Sequence, residues 1–592
     1  MKFLNLLFLV LFSSTTLIGQ TIHHNLSMPA PETHYFHVET VLTNFKEKEL
    51  VMVMPVWSPG SYLVREYPKN VNIVRAKDEY GKALKVTKVR KNQWKIEKGK
   101  AKKVTVNYEV YAFELTVRTS FLDHTHGFLN GVNVFMYPEG HKQRGGKLSI
   151  TPHSSFSTIS APLETEKDGF VNDSKTTTFL FKDFDELADT PIEIGNQTEF
   201  TFDASGVKHT VAMYGVANYD IEKLKVDMAK IVDAATEVYG QNPNKDYLFI
   251  IHNVVDGGGG LEHMNSTTLS VNRWTYDEAN YNRFLSLVAH EYIHVWLVKR
   301  LRPSVLVDYD YNRENFTDLL WVMEGFTSYY DKLLLRRAGF YSEEEYVRAF
   351  QGVVNWVEGS AGNKVQPVSH SSYDAWIKAY MPNENSGNTT ISYYSKGGII
   401  AAVFDAMIIK KSNGKLSLDD FMRKLYSEFY EKKNIGITEA SFKKTLSAFV
   451  DEDLDVFFDR YINGTEEIPY EKYFTPIGVN LVKTEHSKLN IGLNVSDKNG
   501  RLIVNSVLSG SPAEKAGLSP NDEIIAFNGF RVNADSYKKL VNGVEEGEEF
   551  NLIISRDEQL GVINVKADST DSVSFMFSAS DHKLAKFWLR GK

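Results

Sequence analysis

The chain has 592 residues, 42% apolar, 24% charged and 12% aromatic, a length at which about three or four domains with their own cores are expected. These globular proportions exclude a collagen-like, mainly disordered or polytopic membrane chain, and 75 acidic against 67 basic residues (net charge −8) do not suit a nucleic-acid binder. Cysteine is absent, which removes disulfides, thiolate nucleophiles and cysteine-type zinc sites together, so any metal must be held by histidine and carboxylate.

Met1-Lys2 precedes an apolar run over residues 6–12 and then small or polar residues up to Gly19-Gln20, the pattern of a signal peptide over 1–19. Export to the periplasm or beyond is expected, with no membrane span after cleavage, because the best later apolar stretch, 397–409, contains Asp405. Residues 20–204 read as an all-β domain, from alternating runs such as His34-Tyr-Phe-His-Val-Glu-Thr-Val41 and Lys103-Val-Thr-Val-Asn-Tyr-Glu-Val110. Within it, Pro55-Val-Trp-Ser-Pro-Gly-Ser-Tyr62 reads as a rigid turn with a structural purpose. A mixed region, 205–345, opens with a helix near 221–239 and a strand near 247–252. Helical periodicity then continues through an extension, 346–475, interrupted by a polar loop at 360–388. Strands and turns return over 476–570, and 571–592 is left as a tail.

The chemistry gathers in the mixed region. His290-Glu291-Tyr-Ile-His294 lies in a run without Gly or Pro, so the two imidazoles share a helix face one turn apart and can grip one Zn²⁺, with Glu291 alongside. Two core histidines are the plain alternative. A catalytic zinc takes three protein ligands and leaves a position for water. Glu324, an acid among apolar and aromatic residues in the helical segment 318–331, is the third candidate, since an unpaired carboxylate there would be costly. Asp256-Gly-Gly-Gly-Gly-Leu-Glu-His263 follows a strand and permits close backbone approach, with Glu262 as a fixed negative charge. It lacks the ending of a phosphate loop, and a flexible turn is its alternative.

HEYIHVWLVKRLRP (290–303), LLWVMEGFTSYYDKLLLRRAG (319–339), GGGLEH (258–263) and the segment 373–386 resemble the bacterial glycyl aminopeptidase family of zinc metallopeptidases. The turn at 57–62 is similar to that family's N-terminal β domain. The resemblance implies a multidomain α+β architecture: an N-terminal all-β domain and a thermolysin-like zincin catalytic domain akin to aminopeptidase N, with a helical extension. It also implies cleavage of peptides with a free N-terminus, with a preference for Gly or Ala. His290, His294 and Glu324 match the zinc ligands and Glu291 the general base. Glu262, with Gly259 and Gly260 in the same loop, falls where the substrate's α-amine is bound. His263 stands where aminopeptidase N-like loops have Asn, and its role is open. Tyr394 in Tyr393-Tyr-Ser-Lys-Gly397 matches the tyrosine that stabilises the oxyanion, with Tyr393 as an adjacent rival.

Val507-Leu-Ser-Gly-Ser-Pro-Ala-Glu-Lys-Ala-Gly-Leu518 and the segment 519–529 resemble a PDZ domain of the bacterial protease type, giving a C-terminal PDZ-like domain. Such domains add an extended peptide as a strand and capture its terminal carboxylate, for which 489–493 is the candidate loop. Lys299, Arg300 and Arg302 read as a solvated helix end. The function expected is a zinc aminopeptidase; a zinc endopeptidase and a catalytically silent peptide-binding protein are the alternatives.

Overall fold

The computed structural model describes residues 19–166 and 176–590; all but Gly19 of the expected signal peptide lies outside them. In the first domain, strand residues of alternating polarity bury alternate side chains, as in Thr21–Ser27 and Tyr35–Thr43. An eleven-stranded sheet faces a four-stranded sheet centred on Gly127–Asn130 and Pro191–Gly195. Phe36, Ile96 and Val106 of the larger sheet share one core with Leu129, Ile192 and Ile194 of the smaller, making a β-sandwich.

The catalytic region starts with a five-stranded mixed sheet of β1 (Thr198–Ala204), β2 (Val207–Tyr214), β3 (Asp246–Val254), β4 (Gly260–Glu262) and β5 (Ser266–Asn272). The spatial order is β1-β2-β3-β5-β4. β3 runs parallel to both neighbours and is buried on both faces, which its continuous apolar run requires. α1 (Ile221–Tyr239) begins at Asp220, whose side chain accepts from the Lys223 amide, and stops at Gly240 in the left-handed region. β4 is left at the sheet edge, next to α2 (Tyr281–Ile293).

Three further helices, α3 (Leu320–Arg337), α4 (Glu343–Gly359) and α5 (Tyr393–Ser412), share the core of this sheet. α3 and α5 bury residues around most of their circumference, as central helices do. They cross in contact: a Cβ on Gly325 would lie 2.5 Å from the Gly397 Cα, so only glycine allows the approach that sets Glu324 beside the first turn of α5. The polar stretch at 360–388 is largely short helical turns (Ala361–Lys364, Val368–Tyr373, Asp374–Trp376, Ser386–Thr389), anchored by buried Trp376.

The C-terminal segment is threaded differently from the expected module and tail. β6 (Val479–Leu489) and β8 (Ser569–Ala579) form an antiparallel ribbon, and the PDZ fold is inserted at its tip. One edge of that fold's sheet is β7 (Leu493–Lys498). Residues 571–590 are not a free tail. The free edge of β8 is met by side-chain amides of α4: Asn355 pairs with both backbone groups of Phe575, and Gln351 accepts from the Phe577 amide. The last described element is α6 (Lys583–Arg590), which buries Leu584, Ala585, Trp588 and Leu589 in the core shared with α3, α4 and α5. Asn388 ties the PDZ fold to the catalytic region, donating to the Val507 carbonyl (2.9 Å) and accepting from the Ser509 amide (3.0 Å). Among the described residues no helix is long and apolar enough to cross a membrane.

Candidate active site and metal centre

α2 carries the HExxH residues. His290 and His294 sit one turn apart with ring centroids 5.0 Å from each other, and their Nε2 atoms lie 3.5 and 3.3 Å from one oxygen, Oε2 of Glu324 on α3. The other ring nitrogens are engaged from outside. His290 Nδ1 is 3.3 Å from Asp331, which also pairs with Lys332, and His294 Nδ1 is 3.1 Å from the Leu297 carbonyl. Both rings are thereby turned with Nε2 toward Glu324. Burial alone would raise the Glu324 carboxyl, but the two imidazoles overcome it and hold the group below the usual carboxylate range.

Glu291 lies beside this cluster, buried, with Oε2 lacking a partner among the described residues. Burial pushes its carboxyl above the ordinary range against the pull of both imidazoles, and the charges of Glu262 and Glu324 act in the same direction as burial. Its neighbour is the glycine loop: a Cβ on Gly260 would stand 2.4 Å from the Glu291 carboxyl carbon, so that position must be glycine. Glu262 is buried at the end of β4, and its carboxylate lies within 4.8 Å of the ligating atoms of Glu291 and His294. Its Oε1 has no hydrogen-bond partner among the described residues.

The turn at 55–62, expected to be only structural, reaches the site. Gly60 (φ 83) abuts Glu262 so closely that a Cβ there would be 2.5 Å from Oε1. The turn is keyed into the catalytic region by aromatic contacts: Trp57 and Tyr62 pack edge-on to Trp376 at 5.1 and 5.7 Å, and Trp57 Nε1 donates to the Asp310 carbonyl. Arg118, also from the β domain, donates to the Gly260 carbonyl at 3.4 Å. No local pattern marks Arg118 in the sequence; only the packing of the two domains brings it here. Gly259, Gly260, Glu262 and Tyr394 line one cleft of about 340 Å³ with the HExxH residues.

Tyr394 opens onto that cleft, its ring stacked over His290 at 6.1 Å. Burial, and then the charge of Glu324, hold its phenol protonated far above neutral pH, so it is a donor. Tyr393 stacks behind it at 4.6 Å and does not line the cleft. The basic cluster is not a solvated helix end. The chain leaves α2 through Val298, a β-branched residue at φ 75, and turns Lys299 and Arg300 inward, where both are buried. Lys299 pairs with Asp189 at 2.7 Å; Asp189 also meets His263 Nδ1 at 3.1 Å and accepts from the Met264 amide at 2.8 Å. Asp189 thus fixes His263 and Met264 at the end of the glycine loop. Arg300 donates to the carbonyls of Val295 and Met264 and to Asn244, and Arg302 packs on Tyr309.

Among the described residues, two trios of side chains converge closely enough to hold a metal: His290, His294 and Glu324, and Glu262, Glu291 and His294. The first supplies two imidazoles whose far nitrogens are already anchored, the donor set and outer support that zinc takes. The second offers one imidazole and two carboxylates, each with an oxygen unpartnered among the described residues, and lacks the anchored second imidazole of the first. The residues of the first trio fit zinc.

A helix-borne HExxH pair with a glutamate from the next long helix, under an edge strand, defines a zincin of the two-histidine, one-glutamate class. Family models match residues 23–196 as the Peptidase M61 N-terminal domain, 283–400 as M61 glycyl aminopeptidase and 489–567 as a PDZ domain. The chain thus carries the N-terminal and catalytic domains of the M61 glycyl aminopeptidases, followed by a PDZ domain. An aminopeptidase N family protein from Idiomarina loihiensis is 29% identical and superposes with a TM-score of 0.90, over 96% of this chain and 100% of that one. An M1 zinc metallopeptidase from Deinococcus radiodurans aligns at 13% identity and a TM-score of 0.49, over 76% and 95% of the two chains. Curated relatives match in short segments. A probable CtpA-like serine protease of Staphylococcus aureus is 25% identical over 26% of this chain, and the carboxy-terminal processing protease CtpA of Bacillus subtilis is 39% identical over 11%. The matches span 28% and 15% of those relatives' lengths.

Proposed function

We propose that the protein is a zinc-dependent aminopeptidase that removes single N-terminal residues, Gly or Ala in keeping with its family, from peptides. The observation that carries this reading is Glu262: a buried carboxylate with an unpartnered oxygen, walled by Gly60 and facing Glu291 across the cleft. A charged amine brought into that space needs a counter-charge, which Glu262 supplies.

A single zinc ion held by His290, His294 and Glu324 would supply Lewis-acid charge that acidifies water and polarises the scissile carbonyl. Glu262 binds the substrate amine and sets the register of cleavage. Glu291, with its carboxyl pushed upward by burial, takes the proton of the attacking water and passes it to the leaving amine. Tyr394 donates its hydroxyl hydrogen to the developing oxyanion. The edge strand β7 leaves backbone groups of the PDZ fold open, which supports a second role in which that domain holds extended peptide C-termini. Gly492 does not serve as a free carboxylate donor there, since its amide is taken by Asn490 Oδ1.

The test uses Gly- and Ala-anilides and their N-acetylated forms. Cleavage of the free-amine forms alone, stopped by a chelator and lowered about a hundredfold or more by Glu262→Gln, is expected. Cleavage of acetylated substrates at a comparable rate would make the protein an endopeptidase instead. The two tyrosines are separable in the same assay. Tyr394→Phe should lower kcat by about 10²-fold, the usual cost of one lost oxyanion donor, with KM little changed. Tyr393→Phe should cost far less, and the reverse ranking would assign the role to Tyr393.

A further inference from the structure

The cleft runs along one face of α2, where Arg283, Ser286, Leu287, His290 and His294 recur at helical spacing. Glu262 gives it a direction. Its carboxylate is grouped with Glu291 and His294, at the C-terminal end of α2, so a peptide held by its amine runs past His290 toward Arg283. Arg283 stands seven residues before His290, about 10.5 Å along the helix. An extended peptide covers roughly 3.3–3.6 Å per residue, so two or three residues fit between the scissile bond and that position.

The Arg283 side chain is exposed and makes no hydrogen bond or ion pair with any described residue. The acidic group on that side of the cleft, Asp331, is already engaged by His290 and Lys332. The cleft therefore carries an unpartnered carboxylate oxygen at one end and an uncommitted guanidinium at the other. That is the charge pattern of a short zwitterionic peptide laid in reverse, and a guanidinium matches a carboxylate in two-pronged geometry. Resting on the aminopeptidase reading, we propose that Arg283 binds the terminal carboxylate of peptides three or four residues long, making free short peptides the favoured substrates.

The experiment compares the tripeptide Gly-Ala-Phe with its C-terminal amide on the full-length, zinc-loaded protein. The acid is expected to have a kcat/KM about tenfold above the amide, the difference lying in KM. Arg283→Gln should bring the ratio close to one, and Arg283→Lys should restore part of it. A ratio near one in the natural protein, or one that survives Arg283→Gln, overturns the proposal. Binding of both peptides to the Glu291→Gln variant, by calorimetry, asks the same question without turnover. If the natural protein cut only acetylated substrates, the aminopeptidase reading would fall. Equal affinity of acid and amide in the calorimeter would overturn the Arg283 proposal on its own.

Discussion

Glu291→Gln is expected to lower kcat by about 10³ to 10⁴-fold, the scale of general acid–base catalysis, while zinc content is retained and the protein becomes no less stable. Glutamine keeps the shape of the side chain against Gly260, where the space allows nothing larger on either side. It removes a charge that burial disfavours and that lies among Glu262 and Glu324. Activity and stability should therefore move in opposite directions, as is common where a site is built against its own folding energy. Metal analysis, an anilide assay and thermal unfolding on one preparation decide it. Retention of a tenth or more of the natural kcat would remove Glu291 from the proton pathway.

The HExxH helix was legible because two ligands at helical spacing are recorded in a single segment, whereas Glu324, on a separate helix, was marked by being an acid among apolar and aromatic residues and by the family resemblance. The all-β character of the first domain was legible from alternation and turn residues, and the PDZ-like domain from the resemblance carried by residues 507–529. What stayed hidden depends on distant packing. Gly60 looks like any turn glycine until Trp57 and Tyr62 dock on Trp376 and bring it against Glu262. Lys299 and Arg300 follow a helix and read as its solvated end; the left-handed Val298 that turns them inward has no signature in a β-branched residue. The last 22 residues look like a tail because the partner strand of the ribbon lies nearly a hundred residues earlier, across the whole PDZ fold.

Lys299→Met should destabilise the protein by about 3–5 kcal/mol, the cost of removing one partner from a buried ion pair. The Lys299 ammonium and the Asp189 carboxylate are 2.7 Å apart with little exposure on either side. Burial works against ionised Asp189, yet Lys299 and His263 bring its pKa down to about 2. Because the folded value lies below the ordinary one near 3.8, this stabilisation is present above about pH 4 and is lost as pH falls through 2. The deficit of Lys299→Met should accordingly shrink over that acidic window. Adding Asp189→Asn to Lys299→Met should recover part of the loss at neutral pH, since the amide oxygen still accepts from Met264 while the unpaired charge is gone. Asp189 also fixes His263, the residue after Glu262, so the single variant should raise KM for free-amine substrates along with its instability. Chemical denaturation of the three proteins at pH 7, with KM for an Ala-anilide, measures both effects. A loss under about 1 kcal/mol with KM unchanged would mean that this pair behaves as a surface ion pair does and that the loop is held by other contacts.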